Sequence, residues 1–170
     1  METLTFFRAD KRDFLVGDVL RSAREFLTKN PSGSMDNEQI FENLRPSNLP
    51  PRADCLFVFE HLNDAKKHWS KMSGGKLYKV SVKVSDVLHK GDMAIVDLAF
   101  VNRSEPETVE TYVHQYWRGE STDKAIIEVL VREALIAEVI SKNDQERQAY
   151  FKSWAIIGMP NPSINTDAAR

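Results

Sequence analysis

Two charged residues lie inside apolar, strand-like segments, where an unpaired charge is expensive to bury. Arg8 follows two phenylalanines in FFRA, and Glu128 lies within AIIEVLV. The guanidinium of Arg8 is suited to clamp an anion or a sugar through two hydrogen bonds, although an edge-strand arginine facing water fits the pattern equally well. Glu128 is either on the solvent side of an alternating strand or held at a site. Glu133 and Glu138 have looser surroundings and are expected to be solvated or ion-paired.

Three aromatic residues, Tyr112, Tyr116 and Trp117, precede an Arg-Gly-Glu turn. On a helix that ends near Gly119, Tyr112 and Tyr116 share one face at a spacing of four residues. A stripe of this kind most often faces the core. The alternative is that the turn 117–120 borders a ligand cleft.

The stretch from residue 66 to residue 90 contains seven lysines and one acid, Asp86. A surface for a polyanion is possible there even though the whole chain has a net charge of −2, because charge distribution matters more than its sum. Solvated helix and strand faces explain the same residues equally well. The lysines are Lys66, Lys67, Lys71, Lys76, Lys79, Lys83 and Lys90.

Several sequence motifs of enzyme families are absent. The sequence has no GxGxxG, no Walker A pattern, no HExxH and no GxSxG. Its four histidines are scattered, and its single cysteine, Cys55, begins an apolar run and is expected to be a small buried side chain. No metal site is therefore expected.

The hydrophobic patterns predict an α+β domain with a mixed or antiparallel sheet, because strands and helices alternate without regular βαβ units. Met93–Val101 is apolar and is ambiguous between strand and helix. Asp36 and Asn63 are predicted to cap two of the helices. Strands are predicted at Thr3–Ala9, Cys55–Phe59, Leu77–Val84, Ile126–Val131 and Leu135–Ile140, and helices at Asp18–Lys29, Asn37–Leu44, Asp64–Met72, Pro106–Trp117 and Asn143–Trp154.

Length and composition predict one domain, residues 1–157, followed by a poorly ordered tail, residues 158–170, which is rich in proline and small polar residues. Hydrophobic residues make up 42% of the chain and charged residues 28%, which is typical of a soluble globular protein. The sequence shows neither a signal-peptide layout nor an apolar run of the roughly 20 residues that span a bilayer. We therefore expect a reduced, cytoplasmic protein without a membrane partner.

Four segments, in this order and spacing, carry a resemblance to a known family. They are FFRAD, RADCLFVFEHLNDAKKHW, KLYKVSVKVSDVLHKGDM and YWRGESTDKAIIEVLV. From about Thr3 to Ile140 the chain resembles the small bacterial ADP-ribosyltransferase-like domains, which include rifampicin-modifying enzymes and toxins that modify DNA or RNA. The resemblance implies a split sheet with flanking helices, and NAD as the substrate.

The family has three motif positions, and the resemblance carries them over to particular residues. Arg8 matches the first-strand His or Arg that holds the adenosine ribose of NAD, and Glu128 matches the catalytic acid at the start of a late strand. The second motif commonly has Tyr followed by Ser or Thr. Here Phe57 or Phe59 supplies the aromatic ring, but the hydroxyl is missing. Tyr116 is the remaining candidate for an NAD contact.

The resemblance implies an NAD-dependent ADP-ribosyltransferase that needs no metal, of a toxin–antitoxin or phage-defence type. The lysine-rich stretch favours RNA or DNA as the acceptor, and a toxin of this kind implies an antitoxin partner. Two alternatives remain open. One is an NAD glycohydrolase on the same fold, with water as the acceptor, and the other is a non-catalytic interaction module.

Overall fold

The computed structural model describes residues 2–23 and 34–157 of the chain. Within these ranges, seven strands form one sheet in the order β2-β7-β4-β1-β3-β6-β5, and every pairing is antiparallel. The α+β class is confirmed, and of the two sheet types expected, the antiparallel one is present. The predicted tail, residues 158–170, lies outside the described residues. The strands are β1 (Thr3–Asp10), β2 (Val19–Arg21), β3 (Leu56–Phe59), β4 (Lys76–Lys83), β5 (Val87–Asp92), β6 (Ile127–Val131) and β7 (Glu133–Ser141).

Five helices accompany the sheet in the described part of the chain. Short 3₁₀ turns at Arg52–Asp54 and Val84–Asp86 lead into β3 and β5. The helices are α1 (Ser34–Asn43), α2 (Leu62–Lys71), α3 (Met93–Val101), α4 (Pro106–Trp117) and α5 (Asp144–Ile157).

The central strands are apolar on both faces, because successive side chains of a strand point to opposite sides. Val58 and its partner Val129 belong to a core cluster whose buried members all lie on strands. Phe57 and its partner Leu130 face the other way, into a second cluster that includes buried residues of α1, α3 and α4. Strand β6 is therefore hydrophobic at every position except Glu128, its one charged residue.

The sheet is loosely joined at its centre. Strand β1 pairs with β4 along its full length, Thr3–Asp10, but with β3 through one Cα pair, Phe7 with Phe59. Arg8 follows Phe7 directly, so it lies where β1 and β3 separate. The side chain of Arg8 donates to the backbone carbonyl of Phe57 at 2.6 Å, which links the two strands across this gap.

The predicted elements differ from the structure at two places. The helix predicted over Asp18–Lys29 is contradicted at its start, because Val19–Arg21 is a strand paired with β7, and residues 24–33 lie outside the described part. Long-range pairing here overrides the helical spacing of apolar residues. Strand β5, which contains His89, Lys90 and Gly91, was not predicted, since these residues have low strand propensity.

Two predicted caps also differ from the structure. Helix α2 begins after His61, so Asn63 lies inside it, and helix α1 begins before Asp36. The ambiguous segment Met93–Val101 is a helix, and the side chain of Asp92 caps it by accepting a hydrogen bond from the amide of Ala94 at 2.9 Å. The other predicted elements are confirmed to within a few residues at their ends.

Candidate active site

A buried arginine, Arg52, joins two glutamates that are far apart in the sequence. It opens the 3₁₀ turn that follows Pro50 and Pro51, and 6% of its surface is exposed. Nη1 donates to Oε1 of Glu128 at 2.6 Å. On the other edge of the guanidinium, Nε and Nη2 donate to the two carboxylate oxygens of Glu38 at 3.0 and 3.3 Å. One cation therefore holds two carboxylates, and the three groups together carry one net negative charge.

Aromatic rings enclose this guanidinium. Its carbon atom lies 5.4 Å from the ring centre of Phe41, 5.0 Å from that of Phe57 and 4.9 Å from that of Tyr116. A cation gains from the negative face of such rings, and the rings exclude water from its ion pairs. Burial is the largest single influence and acts against the charge of Arg52, but Glu128, Tyr116 and Glu38 together outweigh it and raise the pKa of Arg52 above its ordinary value.

Glu128 is held on one oxygen only. The hydroxyl of Tyr116 also donates to Oε1, at 2.7 Å. No described residue donates a hydrogen bond to Oε2. Every fully buried side-chain oxygen or nitrogen in the described part of the chain has a hydrogen-bond partner, so Oε2 is not fully buried. Since Glu128 lines a cavity, Oε2 is the atom of this carboxylate that a ligand can reach.

Tyr116 reaches Glu128 because strand β5 has a glycine next to it. Gly91 is the Cα partner of Glu128, and a Cβ atom at this position would overlap the ring of Tyr116. The ring is fully buried, and burial together with the nearby Glu128 carboxylate raises the pKa of Tyr116 well above its ordinary value. Tyr116 thus remains a protonated donor at neutral pH.

We expect Gly91→Ala to displace the Tyr116 ring and to destabilise the fold by about 1–3 kcal/mol, the usual cost of overpacking a core. Urea unfolding measures this change. Gly74→Ala is a useful comparison, since a Cβ there meets no atom within 4 Å, although its φ of 97° adds backbone strain. An unchanged unfolding free energy for Gly91→Ala would show that the ring has room to move.

Arg8 belongs to a second charged group in the same cavity. Its Nε and Nη2 contact Oδ2 of Asp10 at 2.8 and 2.7 Å. Arg12 donates to both oxygens of the same carboxylate, at 3.1 and 2.9 Å. Arg8 is a residue of a central strand with 19% of its side chain exposed, so the alternative of an edge arginine facing water is wrong. Its bonds to Asp10 and to Phe57 use three of its five N–H groups.

The two arginines stabilise the ionised form of Asp10. Burial would raise the pKa of this carboxyl, but the hydrogen bonds from Arg12 and the charge of Arg8 lower it to about 2 from 3.8. This contribution to stability is present above about pH 4 and is lost as the pH falls towards 2. We expect the unfolding free energy of the wild type to fall more steeply over this interval than that of Asp10→Asn. Parallel slopes in urea titrations at pH 5, 4, 3 and 2 would contradict this assignment.

The two charged groups line one open cavity of about 360 Å³, which is within the range of small-molecule sites. Part of the lining is cationic, with Arg8, Lys11 and Arg12 around Asp10. Another part contains Glu38, Arg52 and Glu128. The lining also includes the aromatic and apolar residues Phe57, Phe59, His68, Met72 and Met93. The ring of His68 lies 5.4 Å from that of Phe59.

Four of the five site residues expected from the sequence line this cavity: Arg8, Phe57, Phe59 and Glu128. Tyr116 does not line it, because it lies in the core behind Glu128 and contacts that carboxylate instead. The turn 117–120 is likewise absent from the described lining. As expected, Glu133 is ion-paired, with Arg21 at 2.7 Å.

Arg52 and Glu38 were not singled out from the sequence. Arg52 stands in a proline-rich turn and Glu38 in a polar helix, and neither context distinguishes them from surface residues. The one signal available was the need of Glu128, in an apolar strand, for a buried cation. Cys55 also lines the cavity, but burial raises the pKa of its thiol to about 11, so it is not a thiolate near neutral pH.

Comparison with known proteins places the chain in a family. Residues 14–144 match DUF2441, a family of proteins of unknown function. The chain belongs to this family. The match includes Glu38, Arg52, Tyr116 and Glu128, whereas Arg8 precedes the segment matched to DUF2441. A search of the curated proteins found no match.

The lysine-rich stretch does not form one uniform surface. Lys76, Lys79 and Lys90 each contact a carboxylate, namely Asp13, Glu138 and Glu60. The ammonium groups of three others, on α2, lie over rings of α5: Lys66 over Tyr150, and Lys67 and Lys71 over Trp154.

Within residues 2–23 and 34–157, no group of three or more His, Cys, Asp or Glu side chains is arranged to hold a metal ion. Over the same part of the chain, no helix has both the length and the apolarity needed to cross a membrane.

Proposed function

We propose that this protein is an NAD-dependent ADP-ribosyltransferase. The observation that carries the proposal is Glu128, a carboxylate with 3% of its surface exposed, held by Arg52 and Tyr116 through Oε1. Its other oxygen is open to a cavity that also contains Arg8 and two phenylalanines. Arg8 and Glu128 match two of the three motif positions of the family resemblance, and Phe57 or Phe59 supplies the aromatic ring of the other motif but not its hydroxyl.

The chemistry suits such a carboxylate. When the bond between nicotinamide and ribose breaks, positive charge develops on the sugar, as in glycoside hydrolysis. Glu128 hydrogen-bonds the 2′-hydroxyl of that ribose and stabilises the charge in a site shielded from water. The group of Glu128, Arg52 and Glu38 carries one net negative charge, which matches a ribosyl fragment with one positive charge.

The rest of the cavity fits the rest of NAD. The cationic part of the lining, with Lys11 and Arg12, suits the pyrophosphate, and Arg8 anchors the adenosine ribose. Phe57 and Phe59 offer aromatic faces for nicotinamide. The separation of β1 from β3 beside Arg8 supports the split sheet that the family resemblance implies. Remote contacts of this kind position the substrate for reaction.

For the acceptor we propose RNA or DNA. His68 lines the cavity, and Lys67 and Lys71 lie within one turn of it on α2. These two lysines, with Lys66, contact aromatic rings of α5, whereas Lys76, Lys79 and Lys90 already have carboxylate partners. A toxin role, with an antitoxin that neutralises it, belongs to the same proposal and rests on the family resemblance.

The acceptor is tested with NAD labelled in its adenylate half, incubated with the protein and with separated RNA, DNA and protein fractions. We expect label on a nucleic acid, and transfer that falls steeply as salt rises because released counterions favour binding. Lys67→Gln with Lys71→Gln should weaken transfer without changing NAD affinity, and Lys79→Gln, already paired with Glu138, is the matched control. Free ADP-ribose alone would favour the glycohydrolase, and label on protein would exclude a nucleic-acid acceptor.

A further inference from the structure

We propose that Glu38 is the base that removes the proton from the acceptor. The inference rests on the proposed function and assigns a role to the second carboxylate of the site. Glu38 lines the same cavity as Glu128 and is held by the same guanidinium, on its opposite edge. Neither the family resemblance nor the match to DUF2441 assigns it a role.

The two carboxylates differ in exposure. The side chain of Glu128 is 5% exposed and that of Glu38 is 25% exposed, so Glu38 is the one nearer to solvent and to an incoming acceptor. Oε1 of Glu128 already accepts two hydrogen bonds, at 2.6 and 2.7 Å. The bonds of Glu38 to Arg52 are longer, at 3.0 and 3.3 Å. Glu128 is thus held in position to contact the ribose, and Glu38 is the carboxylate that an acceptor can reach more easily.

The guanidinium of Arg52 lies between the two carboxylates and contacts Glu128 on one edge and Glu38 on the other. Both carboxylates still line the cavity. An acceptor that enters the cavity can therefore reach Glu38 while Glu128 contacts the ribose.

The step balances in atoms and charge. A lone pair of the acceptor, X–H, forms a bond to C1′ of the ribose, and the electrons of the C1′–N bond leave with neutral nicotinamide. The proton of X–H passes to the carboxylate of Glu38 and then to solvent. As the positive charge of the sugar disappears, the net charge of Glu38, Arg52 and Glu128 changes from −1 to zero, so no uncompensated charge remains in the cavity.

The test uses NAD and water, with nicotinamide release measured by chromatography. We expect Glu38→Gln to slow release by about 100-fold, the scale of lost general base catalysis. Sodium azide is already an anion and needs no deprotonation. It should restore release by Glu38→Gln to within about tenfold of the wild type, with ADP-ribosyl azide as the product seen by mass spectrometry.

Two variants serve as controls. Glu42→Gln, one turn along α1 and paired with Arg45, should behave as the wild type. Azide should not rescue Glu128→Gln, because that change impairs the bond-breaking itself. A Glu38→Gln protein that is fully active, or slow but not rescued, overturns the role of Glu38 and leaves the proposed function standing. A wild type that releases no nicotinamide overturns the proposed function, and this inference with it.

Discussion

Glu128→Gln should retain NAD binding and lose about two to three powers of ten in the rate of nicotinamide release. The substitution preserves the shape of the side chain and one hydrogen-bonding oxygen but removes the negative charge. A charge aimed at a developing cation from a preorganised site has an effect of this size. Initial rates of nicotinamide release, with NAD affinity measured by calorimetry, separate the loss of rate from any loss of binding.

Glu133→Gln is the matched control for this prediction. Glu133 begins the next strand but faces solvent in an ion pair with Arg21. We expect its variant to keep the wild-type rate. The assignment is contradicted if Glu128→Gln stays active while Glu133→Gln is inactive and still folded by circular dichroism. If the protein is a toxin, cells should tolerate Glu128→Gln where the wild type stops growth.

The second large effect is expected at Arg52. Arg52→Met removes the cation and leaves the buried Glu128 without its ionic partner. Breaking a buried pair from one side costs about 3–5 kcal/mol, because the remaining charge must stay desolvated or take up a proton. The unfolding free energy from urea titration measures the loss.

Two further variants distinguish charge from shape at this position. Arg52→Lys keeps the charge but cannot reach both glutamates at once, because an ammonium lacks the two edges of a guanidinium. The unfolding free energy of Arg52→Lys should therefore lie between those of the wild type and Arg52→Met. Adding Glu128→Gln to Arg52→Met should recover part of the stability, because no unpaired charge then remains. If the unfolding free energy of Arg52→Met is within about 1 kcal/mol of the wild-type value, the loss is that of an exposed ion pair. Arg52 would then not be the buried partner of Glu128.

Much of the fold follows from local patterns. The alternation in β4, the apolar run of β6 and the Pro106 that starts α4 each predict their element from a few residues. Strands β2 and β5 do not, because their structure depends on pairing with β7 and β6. The residues His89, Lys90 and Gly91 become a strand only because β6 offers its backbone groups beside them.

Only some residues of the candidate site could be predicted from the sequence. Arg8 and Glu128 stand out as charged residues in apolar strands, because a buried charge without a partner is costly in free energy. The partners themselves do not stand out, since Asp10, Arg52 and Glu38 occupy ordinary polar contexts. The distance in sequence between Arg52 and Glu128 hides their contact, which the pairing of β3 with β6 creates. The sequence predicts Tyr116 as a ligand contact, but the space left by Gly91 places its ring behind the carboxylate.

The central claim is that this cavity binds NAD and cleaves its nicotinamide–ribose bond. The most direct measurement is calorimetric titration of the purified chain with NAD, followed by chromatography of the same sample for free nicotinamide. The account predicts saturable binding by both the wild type and Glu128→Gln, with nicotinamide released at a substantial rate only by the wild type. Absence of both binding and release at millimolar NAD would contradict it and would favour a non-catalytic interaction module.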